Sequence, residues 1–353
     1  GSGLLDALED DPRLVILFAG YAFARDYNQP RGHVFAVEDV HNTLRTGAPD
    51  GNTPDMQKSS CWTCKSTDVP RVINEIGAEK FYATPWSEML HEIVNPIGCS
   101  NCHNPDNQHL RITQVPLIEA FERQDRDINK MSLNETRSLV CAQCHVEYYF
   151  KGEKSYVTFP WDKGMSVDSI EEYYNEYEFY DWTHALSKTP IIKAQHPDYE
   201  LYVTGIHYQR GVSCADCHMP YITEGSQKIT DHKVQSPLNN IENSCMVCHR
   251  DSKEELLQNV YDRQDKVYQQ KIVLEDLLVK AHIETAFAIE KGANDEQLKP
   301  IHKNIRSAQW KWDFVAASHG ASFHAPIESL RILSSGVHKV SMARVEIARL
   351  LAD

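Results

Sequence analysis

Residues 211–220 read GVSCADCHMP. Cys214 and Cys217 enclose two residues, and His218 follows at once. The same pattern recurs as CSNCH (99–103), CAQCH (141–145) and CMVCH (245–249); a further copy, CWTCK (61–65), ends in lysine. All ten cysteines belong to these five pairs, with none left over. A disulfide framework rarely keeps one spacing throughout. A zinc site needs two matched pairs, but not a histidine directly after the second cysteine. Covalent haem attachment needs this order: two thiols add to two vinyl groups, and the adjacent imidazole then falls beneath the iron. The spacing therefore predicts five haem c groups, on Cys61/Cys64, Cys99/Cys102, Cys141/Cys144, Cys214/Cys217 and Cys245/Cys248. His103, His145, His218 and His249 are their adjacent ligands, and Lys65 is the exception.

Composition agrees with a large cofactor-rich protein. The chain has 353 residues, 41% hydrophobic and 24% charged. Asp and Glu outnumber Lys and Arg by 50 to 36, and a net charge of -14 argues against nucleic acid as a partner, since phosphate binding needs excess cations. The longest apolar run, LVILFAGYAFA from Leu14, is far below the roughly 20 residues of a membrane helix. The chain is therefore not expected to span a membrane. Covalent haem assembly implies a compartment outside the cytoplasm, and the periplasm is expected, with no signal peptide present in this chain. Uneven distances between the motifs exclude an array of identical repeats.

Local signals are mostly helical. Asp11 and Pro12 mark a helix start in DDPRL. PRGH and RTGAPDGNTP mark loops around a short helical stretch near Val37 to Arg45. Ser132 with Glu135, and Ser252 with Glu255, form capping-box patterns. The first opens a helix into CAQCH; the second opens a long helix to about Lys291. KGAND and Pro300 are expected to end it, with helical runs over about 301–319 and from about Pro326 onward. Convincing alternating strands are scarce. The expected fold is mainly α: a compact multihaem core, long C-terminal helices and few short strands. Residues 1–250 form the haem-binding catalytic region. Residues 251–353 form a long-helix region that supplies a dimer face and one distal haem ligand, within one integrated domain.

Lysine changes the chemistry at one iron. A primary amine donates a lone pair only after losing its proton, and free lysine has a pKa of about 10.4. Burial lowers it. A haem ligated differently among histidine-ligated haems is where electrons are best used, and its opposite face stays open for substrate. Four C-x-x-C-H motifs preceded by C-W-T-C-K resemble the pentahaem cytochrome c nitrite reductases. The likeness extends to RDYNQPRGHVFAVEDVHNTLRTGAP, CHVEYYF, KAQHP, GIHYQRGVSCADCHMP, TDHK and SHGASFHAP, and so covers nearly the whole chain. Members of that family usually carry an N-terminal leader and a longer C-terminal tail, so the chain is expected to be a processed or trimmed form.

The resemblance implies distal ligands: His232 for the haem of His103, His33 for that of His145, His324 for that of His218 and His207 for that of His249. His319, five residues from His324, is the rival at the third of these. It also implies that Arg45, Tyr148 and His196 face the open side of the Lys65 haem. Arg45 offers a planar donor fork for nitrite, His196 a hydrogen bond and protons, and Tyr148 a hydrogen bond or proton relay. One calcium ion is implied, held by side-chain oxygens of Glu147 and Gln195 and backbone carbonyls of Tyr148 and Lys193, which suits a hard cation.

The implied activity is six-electron reduction of nitrite to ammonium, an oxidoreductase reaction. Other small nitrogen oxyanions or hydroxylamine are further implied substrates. The implied donor is a cytochrome or a quinol-oxidising membrane complex, and a homodimer is implied through the helices after about residue 250. A non-catalytic electron-transfer cytochrome, a reductase acting mainly on hydroxylamine or sulfite, and a structural zinc protein are the alternatives.

Overall fold

The computed structural model describes residues 5–46 and 57–352. Most of the loop expected over RTGAPDGNTP, and both ends of the chain, lie outside the described residues. Short helices carry the first part of the chain, and three long helices follow. Helix α1 (Leu133–Ala142) begins where expected: the Glu135 amide donates to Ser132 Oγ at 3.2 Å, and the Ser132 amide donates to Glu135 Oε2 at 3.0 Å. Cys141 already lies in its last turn. The strands among the described residues form three two-stranded antiparallel hairpins. They pair β1 (Tyr149–Lys151) with β2 (Tyr156–Thr158), β3 (Trp182–Thr183) with β4 (Pro190–Ile191), and β5 (Tyr221–Glu224) with β6 (Gln227–Thr230). Between the second and third hairpins come α2 (Asp198–Tyr202) and α3 (Cys214–His218).

The long helices are α4 (Lys253–Glu290), α5 (Asp295–Ala316) and α6 (Pro326–Ala352). The Ser252–Glu255 capping box opens α4, which at 1.5 Å per residue is about 57 Å long. Gly292, at φ 95, follows its end. Helix α5 starts six residues before the expected position, and Pro300 lies inside it. A second capping box explains this: the Gln297 amide donates to Asn294 Oδ1 at 3.0 Å and the Asn294 amide to Gln297 Oε1 at 2.9 Å. Pro300 loses one backbone bond and crowds the carbonyl four residues back, and burial of Leu298, Ile301 and Ile305 around it offsets that cost.

The long helices share one hydrophobic core with the preceding chain. Buried Trp310 donates to the Val167 carbonyl at 3.0 Å, and buried Gln309 donates to the Leu17 carbonyl at 2.7 Å. Trp312 donates to Glu275 Oε1 at 2.9 Å, within the helical layer. Truncating a buried tryptophan to alanine typically costs about 3–5 kcal/mol.

A polar cluster joins three elements deep in this core. The rings of His184 and His282, both fully buried, stack at 3.6 Å. His184 Nε2 donates to the Ile16 carbonyl at 2.7 Å; Ser187 Oγ lies 2.8 Å from His282 Nδ1, and Gln309 Oε1 lies 2.7 Å from His282 Nε2. Burial holds His184 down at about 4 and His282 well below the ordinary histidine range. Between that value and about 6.5 the unfolded chain binds protons that the folded chain refuses, so stability falls as pH drops through this window. The thermal midpoint should therefore decline from pH 6.5 to pH 4. The decline should be shallower in His184→Gln, measured by circular dichroism on the haem-loaded protein.

Candidate functional site

The short helices and turns bring the five cysteine motifs together. None of the ten cysteines is in a disulfide. The Cys64 thiol lies beside that of Cys144, and the Cys141 thiol beside that of Cys214. Cys217 feels the charges of Cys245 and Cys248, and Cys102 acts on both Cys141 and Cys144. The motifs therefore run in the order Lys65, His145, His218, His249, with the His103 motif beside that of His145. Local rules shape each turn. Ser213 caps α3 by accepting from the Asp216 amide at 3.3 Å, and Arg137 of α1 pairs with Asp216 at 2.9 Å, which fixes Cys214 beside Cys141.

Four imidazole pairs face one another across long stretches of chain. Ring centres are 6.1 Å apart for His103 and His232, and 6.1 Å for His33 and His145. They are 6.2 Å apart for His218 and His324, and 6.3 Å for His207 and His249. An iron between two imidazole nitrogens, with bonds of about 2 Å and about 1.1 Å from each nitrogen to its ring centre, sets the centres about 6 Å apart. Burial holds His33, His207, His218 and His324 below the ordinary histidine range, which favours the neutral, ligand-competent form. His103, His218 and His232 place Nδ1 2.8, 3.0 and 2.8 Å from the carbonyls of Gln108, Gln235 and Thr230, which leaves Nε2 to face outward. Gly32, at φ 97, turns the chain directly into the 3-10 turn that carries His33. His145 has a second neighbour at the same distance, His196 at 6.2 Å, so separation alone does not select its partner.

Lys65 is half-buried at the end of its motif, its amide donating to the Trp62 carbonyl at 2.9 Å. Its charge acts on Cys61 and His196, and that of Arg45 acts on Cys61. Tyr148 lies within the field of Cys64 and Cys61, and its ring is 5.5 Å from that of His196. The four residues expected to act together thus share one neighbourhood. Arg45 is held from two sides: Nη1 donates to the Asp26 carbonyl at 2.5 Å, and the guanidinium lies 4.2 Å over the Phe23 ring. Asp26 also accepts from the Leu44 amide, through Oδ2 at 2.6 Å. Sequence reasoning missed Phe23 and Asp26, although Asp26 lies inside the RDYN stretch that carries the resemblance. Burial keeps the Tyr148 hydroxyl protonated and lowers His196 to about 3, so near neutral pH that imidazole is uncharged and holds one N–H. Its Nδ1 is buried without a hydrogen-bond partner.

Behind this neighbourhood sits a buried carboxylate. Glu147 is fully buried, accepts from Tyr174 Oη at 2.9 Å and from the Gln195 amide at 2.7 Å, and forms no ion pair among the described residues. Burial raises it well above the usual carboxylate range. The Gln195 side-chain amide lies 3.4 Å from the Lys193 carbonyl. The Lys193 ammonium points elsewhere, to Asp313 Oδ1 at 2.9 Å. One carboxylate, one amide and backbone carbonyls are the donor set of a hard cation, and an uncompensated buried carboxylate is what such an ion would neutralise. Among the described residues no group of three or more His, Cys, Asp or Glu is gathered as a chelate.

The family model for cytochrome c552 matches residues 1–353. The chain belongs to the cytochrome c552 family. It is a haem-binding cytochrome family, and the cytochromes c-552 of Porphyromonas gingivalis and Bacteroides thetaiotaomicron are each 56% identical to the chain, covering 100% of it and 71% of their own length. That of Maridesulfovibrio salexigens is 48% identical over 99% of the chain and 71% of its own length. The catalytic subunit of cytochrome c nitrite reductase from Desulfovibrio desulfuricans superposes with a TM-score of 0.90 at 34% identity, over 95% of this chain and 75% of that one. That protein is described with two calcium sites. The mainly helical fold with few short strands is common to both, and the kinship supports an oxidoreductase. No described helix is long and apolar enough to cross a membrane.

The Lys193–Asp313 pair gives a direct test of the packing behind the site. Both side chains are buried, at 2% and 1% exposure. Asp313 Oδ2 also accepts from the Ala194 amide at 2.9 Å. Asp313→Asn leaves a buried cation without its counter-charge and should cost about 3–5 kcal/mol in chemical denaturation. The double variant Lys193→Met/Asp313→Leu should recover most of that loss.

Proposed function

We propose that this chain carries five haem c groups and reduces nitrite to ammonium at the one ligated by Lys65. The observation that carries this reading is the set of four imidazole pairs at iron-spanning separation, beside a fifth motif whose lysine shares its surroundings with Arg45, Tyr148 and His196. When bound, the haems supply the electron storage and transfer and an iron open to substrate, so that nitrite takes up six electrons and eight protons to give ammonium and two waters. The proposed pairs are His103 with His232, His145 with His33, His218 with His324 and His249 with His207. The contacts between thiols support an electron route through the motifs of His249, His218 and His145 to that of Lys65, with the His103 motif as a side entry. His33 rather than His196 is assigned to His145, because the GHVF stretch matches the family and His196 is then free for the substrate.

The chain's own groups have separable tasks. Arg45 contributes the only fixed positive charge proposed on the substrate side, and its anchoring on Asp26 and Phe23 orients the rest of its donor fork toward an anion. Tyr148, kept protonated by burial, donates a hydrogen bond to a substrate oxygen. Neutral His196 donates its single N–H, and takes a proton only when charge builds nearby. Glu147, Gln195 and the carbonyls of Tyr148 and Lys193 are proposed to hold calcium. It would compensate Glu147 and tie the segment before Tyr148 to the segment before His196.

A periplasmic setting and a cytochrome or quinol-oxidising membrane complex as donor complete the reading. So does a homodimer across α4, where Tyr268, Ile283 and Phe287 are exposed at 57%, 51% and 47%. Residues 1–250 as the catalytic region and 251–353 as the region of dimerisation and one distal ligand form part of the same proposal.

Anaerobic assay of the reduced, fully haem-loaded protein should yield ammonium stoichiometrically from nitrite. Lys65→His should lower kcat by at least tenfold and change the absorption and paramagnetic resonance spectra of that haem; absence of ammonium overturns the activity, and unchanged spectra overturn the role of the lysine. By paramagnetic resonance, His33→Ala should remove one low-spin haem while His196→Ala leaves all four. The reverse result would exchange their roles. Glu147→Gln should reduce bound calcium, by elemental analysis, to well under one per chain while leaving haem content intact.

A further inference from the structure

Three of the proposed iron-ligating imidazoles turn Nδ1 to a neutral backbone carbonyl, as described for His103, His218 and His232. Two others face a single carboxylate. Asp198, at the start of α2, places Oδ2 3.9 Å from His145 Nδ1 and Oδ1 4.0 Å from His324 Nδ1. His145 and His324 belong to different ring pairs, and the Cys141–Cys214 contact makes the two corresponding motifs direct neighbours. The Asp198 carboxylate is only 14% exposed, and His324 Nδ1 is buried with no hydrogen-bond partner.

The surrounding chain fixes the carboxylate rather than leaving it to wander. Ser318 Oγ donates to Oδ1 at 2.8 Å, and the Gly320 amide donates to the same oxygen at 3.1 Å. The next amide along α2, that of Tyr199, donates to the His145 carbonyl at 3.1 Å. Gly320 is needed at this place: a Cβ there would overlap the His324 ring, and one on Gly205 would overlap the His324 carbonyl. The Ser318–His324 segment is therefore moulded around Asp198 on one side and His324 on the other.

We propose that Asp198 is a positioning residue shared by two haems, its Oδ2 facing Nδ1 of His145 and its Oδ1 facing Nδ1 of His324 at ion-pair distance, so that its charge acts on both rings. This rests on the pairing of His145 and His324 with iron proposed above. A carboxylate behind a ligating imidazole fixes the ring and raises its basicity, and its charge favours the ferric state. The haems of His145 and His218 are thereby held at lower potential than a carbonyl partner alone would hold them. They are the two carriers proposed to lie nearest the Lys65 haem along the route, so the charge increases the driving force of the final transfer, from the haem of His145 to that of Lys65.

The test is potentiometry of the haem-loaded protein followed by paramagnetic resonance, with signals assigned through His33→Ala and His324→Ala. In Asp198→Asn, which keeps an acceptor for Ser318 and Gly320 but removes the charge, the two assigned haems should shift to higher potential and the remaining three should stay. Ser318→Ala, which loosens the loop but keeps the charge, should leave all five in place. No shift, a shift of only one haem, or an equal shift of all five overturns the proposal. If Asp198→Asn does not load its haems, pulsed resonance of the unmodified protein reads the remote imidazole nitrogens directly. Imidazolate-like couplings at those two haems support the proposal, and uniform couplings at all four overturn it. If His324→Ala leaves four low-spin haems, the pairing itself fails, which is distinct from any result at Asp198.

Discussion

The separation of about 6 Å that an iron imposes on two opposed imidazole rings is the constraint to which the rest of the molecule is subordinate. It is met in pairs whose members lie far apart in sequence, the widest joining His103 to His232. Each pair ties a cysteine motif to a segment that no secondary structure would bring there. This explains why short helices, 3-10 turns and two-stranded hairpins suffice in the first 250 residues. Their task is to deliver a ring to a position, and the polar turns that do so are individually small. The long helices then serve as a rigid wall. Gln309 and Trp310 bond across to the Leu17 and Val167 carbonyls, and the α5–α6 connection carries His324.

A second constraint is charge in the interior. Glu147, Glu200, Lys193 and Asp313 are buried and Asp181 is half-buried, and desolvation raises every carboxylate among them. Lys193 satisfies Asp313 directly, and its backbone amide satisfies Asp181 at 2.7 Å. Glu200 accepts from the Glu147 amide and the Trp161 indole, each at 2.8 Å. Glu147, like Glu200, has hydrogen bonds but no ion pair among the described residues. The residue that sequence reasoning valued for its carbonyl oxygen is therefore also a structural cation, and the two uses are compatible because they lie at opposite ends of one residue.

Much of this was legible in the sequence because it is written in local signals. The five cysteine motifs, the Ser132–Glu135 and Ser252–Glu255 boxes and the start of α6 at Pro326 each depend on residues within five positions of one another. Pro300 misled because proline is read as a stop, whereas the Asn294–Gln297 box starts the helix upstream and the buried Leu298, Ile301 and Ile305 carry it through. The partners of Arg45 were not legible for a different reason. A backbone carbonyl of Asp26 and the face of Phe23 carry no pattern, and only the fold brings them under the guanidinium. Ring separation has its own limit: His145 stands equally far from His33 and His196, so geometry narrows the choice to two and chemistry must make it.

Asp198 illustrates the limit from the other direction. Nothing in HPDYE sets it apart from other acidic residues at a helix start, and its first-turn position on α2 would ordinarily be explained by the helix dipole alone. Yet the dipole needs only a negative charge, whereas this carboxylate is fixed by Ser318 and Gly320, more than a hundred residues away, with a different oxygen toward each of two imidazoles. A capping role would survive any rotation of the side chain. The observed arrangement would not, because turning the carboxylate removes one oxygen from His324 and the other from His145 together. The orientation therefore follows from what stands on either side of it, and what stands there is a ring from each of two adjoining pairs.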